Sequence, residues 1–192
     1  MSNRIALIAL ILAVALGPVV PVRADEAAAW AALRAGGHVA LMRHTDAPGG
    51  TGDPPGFKLE DCTTQRNLSD KGRAEAAQIG ARLKAEGIAF EKILSSPWCR
   101  CMDTARLLDM GPVEPAPTFS NVVVLRDQTQ ALIEGAQALI ADWRGAGTLL
   151  VATHGANIRA LTGISPATGE IVVVDAADDG SIEPIGRIPP AR

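Results

Sequence analysis

The sequence predicts an α/β fold, a three-layer sandwich in which a mostly parallel sheet carries helices on both faces and a C-terminal β-hairpin. Three observations predict it. Short apolar runs at 39–42, 92–94 and 148–152 read as strands buried in a parallel sheet. Between them lie stretches of helical periodicity, opened by acidic or hydroxyl residues and closed by glycine. Of the 192 residues, the 168 beyond residue 24 suit one domain with a single core, so the organisation expected is 1–24 as a leader and 25–192 as one domain.

Residues 1–24 combine one early charge, Arg4, an apolar stretch over 5–16 and a small-residue end at Ala24. This is the pattern of a secretory signal peptide, and the apolar core is shorter than the roughly 18 residues a membrane span needs. The mature protein is expected to be periplasmic or secreted, with no membrane attachment after cleavage. Loss of Arg4 and Arg23 takes the net charge from -3 to -5. Mild acidity, no basic run and few aromatics argue against nucleic acid as a partner.

The elements follow in order. A helix is expected over 25–35, closed by Gly36 and Gly37, and feeds the first strand. The stretch 46–56 is too rich in Gly and Pro for helix or strand, and a loop of this length is expected to wall a site. Ser69 is placed to cap a helix that stops at Gly87, and the period then switches to a strand at 90–96 and a helix at 98–108. Prolines make 110–117 a loop, and the apolar, β-branched 119–125 reads as a short strand or extended segment. A helix over 127–143, the strand at 148–152, a short helix behind His154 and a hairpin over 170–175 and 182–188 complete the chain.

Function is sought where the strands end, because ligands in open α/β sheets bind beyond the strands' carboxyl ends. The first strand runs into Arg43-His44-Thr45, the second into Ser95-Ser96-Pro97-Trp98-Cys99-Arg100, and the third into Thr153-His154-Gly155. Strand ends thus deliver Arg43, His44, Arg100 and His154. Guanidiniums match the oxygens of a phosphoryl group, and imidazoles can serve as nucleophile and donor. An isolated histidine at a strand end is more often structural, as His38 at the opposite end of the first strand is expected to be. These elements, with Thr104-Ala105, resemble the histidine phosphatase superfamily, which includes the phosphoglycerate mutases.

The resemblance implies the same sandwich and a phosphomonoesterase that works through a phosphohistidine. His44 would be the nucleophile, one ring nitrogen held by a backbone carbonyl, while Arg43, Arg100 and protonated His154 bind the phosphoryl oxygens. No metal and no cofactor is required, and the partner is a small or exposed phosphate ester. Gly155 stands where the large acid phosphatases carry an aspartate, and 105–148 is too short for a cap domain, so the chain resembles the small branch. Thr45 replaces the glycine most common in the family. The acid that protonates the leaving oxygen is assigned to Asp127, where the family usually carries one, with Asp46 in reserve; Asp127 equally fits a capping box with Gln130. The rival reading is a periplasmic phosphate-ester or anion-binding protein of the same fold without turnover. Export argues against a mutase, because glycolysis is cytosolic.

Export also licenses a disulfide, and three cysteines allow one intramolecular pair. Cys99 and Cys101 lie within one helical turn, so Cys62 must reach one of them. Cys99 is the expected partner, with Cys101 a free thiol in the core.

Overall fold

The computed structural model describes residues 26–177 and 179–190; the leader expected over 1–24 lies outside them. A six-stranded sheet of order β3-β2-β4-β1-β5-β6 is built from β1 (Val39–Arg43), β2 (Phe90–Ser95), β3 (Val113–Pro115), β4 (Thr148–Thr153), β5 (Ile171–Ala176) and β6 (Ile182–Ile188). The pairs β3-β2, β2-β4 and β4-β1 are parallel, whereas β5 pairs antiparallel with both β1 and β6. The expected mostly parallel sheet is present, three of its five pairs being parallel, and so is the C-terminal hairpin.

Each central strand feeds two cores, because alternate side chains point to opposite faces of the sheet. Ala40, Met42, Leu150 and Ala152 pack with α1 (Glu26–Ala35), α2 (Asp70–Ala85) and α3 (Cys99–Leu107). Val39, Leu41, Leu149 and Val151 pack with α4 (Thr129–Ala141) and α5 (Gly155–Thr162). Burial on both sides explains why these strands read as unbroken apolar runs. Ser69 caps α2 by accepting from Gly72 N at 3.0 Å.

The chain leaves β1 towards β2 on one side and leaves β4 towards β5 on the other, so the strand order reverses between β1 and β4. That reversal opens a crevice at their carboxyl ends.

The second half departs from expectation in several places. The proline-marked 110–117 contains β3, tolerated because Pro115 ends a strand at the sheet edge. The β-branched 119–125 is not extended. Asn121 folds it into a turn, its Oδ1 accepting from Val123 N at 3.0 Å and its carbonyl from Leu125 N at 2.9 Å. The capping box is absent as well: α4 begins at Thr129 after a 3-10 turn over Arg126–Gln128, no side chain caps it, and Gln130 bonds Glu134 at 2.8 Å instead.

Candidate active site

Register places the two histidines. Arg43 pairs with Thr153 across the parallel β1-β4 ladder, and His44 N donates to Thr153 O at 3.0 Å, so His44 and His154 emerge side by side. Their ring centroids are 5.7 Å apart at an interplanar angle of 71°. Both line a cleft of about 310 Å³ at the carboxyl ends of the strands, together with Arg43, the loop residues Gly50, Thr51 and Gly52, Arg66, Asn121 and the start of α5. A larger cleft of about 410 Å³ lies at the other end of the sheet between Gly37, Trp143 and Gly180, away from both histidines.

His44 is 3 % exposed, and its Nδ1 lies 2.8 Å from the Thr45 carbonyl. A carbonyl can only accept, so Nδ1 carries the proton and Nε2 keeps a free lone pair. Burial pulls the imidazole down to about 3, the Thr45 carbonyl opposing and the charges of Arg100, Arg66 and Arg43 assisting. The ring is therefore neutral at physiological pH. His154 is also buried; its Nε2 bonds Ser96 Oγ at 2.9 Å and its ring meets the Trp98 ring edge-on at 5.5 Å. Burial, then Arg100 and the neighbouring His44, hold it well below the usual histidine range. The protonated His154 expected from the sequence is neutral here, because burial and the nearby guanidiniums both disfavour its charged form.

Arg43 lies along the start of α5, and its Nη1 donates to Pro166 O at 2.8 Å. A Cβ on Gly155 would come within 3.1 Å of Arg43 Cδ and 3.2 Å of its Nε, so a side chain at position 155 would press on Arg43 and require it to shift slightly. Arg43 Nε and Arg100 Nε are buried donors with no protein acceptor. Thr45 is accommodated without exposure, its hydroxyl 3.2 Å from Thr104 Oγ1.

Arg100 departs from expectation. It does not line the cleft: Nη1 and Nη2 donate to Asp53 Oδ1 and Oδ2 at 2.7 and 3.2 Å, and both side chains are fully buried. Burial alone would raise the Asp53 carboxyl, but bonds from Arg100, the Arg66 backbone and Trp98 hold it below the usual carboxylate range. Arg66 occupies the wall instead, its Nε donating to Gly52 O at 2.8 Å and its Nη1 to Ala47 O, both neutral acceptors.

The expected acids are elsewhere. Asp127 is exposed on the 3-10 turn before α4 and outside the cleft, since the turn at Asn121 swings the chain away. Asp46 is used in structure: its Oδ2 accepts from Ser69 Oγ at 2.5 Å, its carbonyl from Ser69 N at 3.1 Å. Among the described residues no Asp or Glu lines the cleft. Among the described residues no group of three or more His, Cys, Asp or Glu could hold a metal ion.

Cys62 and Cys99 form a disulfide that ties the polar stretch before α2 to the first turn of α3, and Gln65 Oε1 accepts from Cys99 N at 3.0 Å beside it. Cys101 is a free, buried thiol 3.7 Å from His154 Nε2, and burial pushes it up to about 12.

Residues 39–122 match the model of the histidine phosphatase superfamily (branch 1). Over those residues the chain is similar to that superfamily. No curated protein matches the sequence. Among solved structures it is similar to the protein histidine phosphatase SixA complexed with tungstate, at 22% identity and a TM-score of 0.56, over 80% of this chain and 97% of that one. Bacillus stearothermophilus YhfR follows at 15% identity and a TM-score of 0.58, over 78% and 95% of the two chains. A mycobacterial glucosyl-3-phosphoglycerate phosphatase matches at 14% identity and a TM-score of 0.55, over 81% and 99%. At these identities the likeness is one of fold.

Sequence reasoning missed Arg66 and Asp53 within this site. Their signals were a polar run, Thr64-Gln65-Arg66-Asn67, just ahead of the Ser69 cap, and an acid between Gly52 and Pro54 in the loop already expected to wall the site. Glu170 was missed too. It is 4 % exposed, accepts from Ala167 N at 2.6 Å, and fixes the segment whose Pro166 carbonyl holds Arg43.

Proposed function

We propose that the protein is a phosphomonoesterase of the histidine phosphatase type, acting outside the cytosol on a small or exposed phosphorylated compound. The observation that carries this reading is His44: neutral, its Nδ1 committed to the Thr45 carbonyl, in a cleft that offers Arg43, Arg66 and His154 and no carboxylate. The phosphatases among the structural neighbours support it. The signal-like character of 1–24 supports export.

In this reading His44 Nε2 attacks phosphorus, the bond to the leaving group breaks, and Arg43 and Arg66 hold the equatorial oxygens. Arg100, paired with Asp53, braces the wall from behind, since the same carboxylate accepts from the Arg66 backbone. Binding of the dianion offsets the guanidiniums and lets His154 take up a proton and donate. Water then attacks phosphorus, the phosphorus–nitrogen bond breaks, and inorganic phosphate leaves. Because no carboxylate lines the cleft, the leaving group takes its proton from water. This favours aryl esters and phosphoramidates, such as a phosphohistidine, over alkyl esters.

The same missing acid favours a second reading, an anion-binding protein of this fold without turnover. Release of phosphate from p-nitrophenyl phosphate decides between them. Turnover together with an acid-labile phosphoenzyme that His44→Ala abolishes supports the enzyme; vanadate binding without turnover from pH 4 to pH 8 supports the binder.

A further inference from the structure

The cleft extends past the histidines along α5, and this extension carries a cation of its own. Arg159 lies one helical turn beyond Gly155, about 6 Å along the axis. It lines the cleft and is exposed, and among the described residues its side chain has no hydrogen bond or ion pair. Asn121 lines the same cleft at 4 % exposure. Its Oδ1 is taken by Val123 N at 3.0 Å, which leaves Nδ2 as a donor without a protein partner. Asn157 fastens the two walls together, donating to Ser120 O at 2.8 Å and accepting from Val122 N at 3.4 Å, so the segment bearing Asn121 is held against the helix bearing Arg159.

Charge points the same way. A phosphoryl dianion is matched by Arg43 and Arg66, Arg100 is already paired with Asp53, and burial keeps both histidines neutral. Arg159 is left over, with no carboxylate on the wall to pair it. A guanidinium and an amide N–H on one wall form a receptor for anionic oxygens.

We propose that Arg159 and Asn121 Nδ2 form a second anion subsite, and that the preferred substrate bears another anionic group about one helical turn from its phosphorus. The proposal rests on the phosphatase reading of the same cleft.

The test compares 3-carboxyphenyl phosphate with 3-carbamoylphenyl phosphate, which differ in charge at one position, and adds 1,3-phenylene bisphosphate as a dianionic arm. The readout is the ratio of kcat/KM for the charged to the uncharged compound in the wild type, Arg159→Ala and Asn121→Asp; the last keeps the acceptor for Val123 N but replaces the donor by a charge. A charge-assisted hydrogen bond predicts that the ratio falls roughly tenfold to a hundredfold in Arg159→Ala and further in Asn121→Asp. A fall confined to the bisphosphate identifies the second group as phosphoryl; one confined to the carboxyl compound identifies it as carboxylate. Equal ratios in wild type and Arg159→Ala for both charged compounds overturn the subsite. If the wild type turns over none of the esters, the phosphatase reading fails by itself, and the same ratios taken from calorimetric dissociation constants still decide the subsite.

Discussion

Arg66 and Arg100 stand close enough for Arg100 Nη1 to donate to the Arg66 carbonyl at 3.2 Å, yet they belong to regions with opposite logic. Arg100 sits in the first turn of α3 and is closed off by a carboxylate that accepts two of its hydrogen bonds. Arg66 sits in the loop wall and bonds only backbone carbonyls, which orient a guanidinium without neutralising it. A buried ion pair serves as a joint between segments, whereas a charge held by neutral acceptors stays available to a ligand. The partner, more than the residue type, decides which arginine reads the substrate.

The contrast between a floor set by the sheet and a wall set by this joint can be broken from either side. The largest effect is expected at the floor: His44→Ala leaves no measurable turnover. His154→Ala costs at least about two orders of magnitude in kcat/KM, as expected for removal of one transition-state donor. Melting measured alongside should separate these losses from unfolding.

At the joint, Asp53→Ala strands Arg100 as a buried, unpaired cation and is expected to cost roughly 3–5 kcal/mol of stability. Thermal and urea unfolding check this. The double variant Asp53→Ala/Arg100→Met should recover most of the loss in stability but not activity, since the Arg66 backbone has still lost its acceptor. No recovery of stability would show that the bridge is not a pairwise joint.

Reduction of Cys62–Cys99 loosens the wall without touching the floor. Stability should fall by about 2–4 kcal/mol, or roughly 5–15 °C in melting temperature. On the phosphatase reading KM should rise more than kcat falls, because that reading gives binding to the wall and reaction to the floor. Equal changes in both would place the disulfide's influence on the histidines instead.

Protonation sharpens the comparison further. Because His44 is held down to about 3, its ring signals in an NMR titration should show the neutral form from pH 8 to pH 4. His154 is also depressed in the free protein, so an anion that cancels the guanidinium field raises it. Sulfate, which does not titrate in this range, should therefore bind with proton uptake and more weakly as pH rises. Calorimetry in buffers of different ionisation enthalpy reads the uptake directly; proton release would reverse the assignment. The smallest effect is expected at Asp127, exposed and outside the cleft: Asp127→Asn should change neither turnover nor melting beyond about twofold and 0.5 kcal/mol.

What the sequence determined by itself is what the sheet controls. Unbroken apolar runs require burial on both faces, strand ends fix where the next residues emerge, and so β1, β2, β4, the hairpin and the placement of His44, His154 and Arg43 were all legible. The cysteine spacing likewise named Cys62 and Cys99. Tertiary structure decided whatever depended on partners far apart in the chain. No local pattern shows that Asp53 reaches Arg100 across 47 positions, that Arg66 takes the wall, or that Asn121 turns the β-branched 119–125 stretch and carries Asp127 out of the site. Strands and helices are specified by periodicity in neighbouring residues, whereas the availability of a guanidinium to a ligand and the aim of a loop are specified by whichever group folding brings against them.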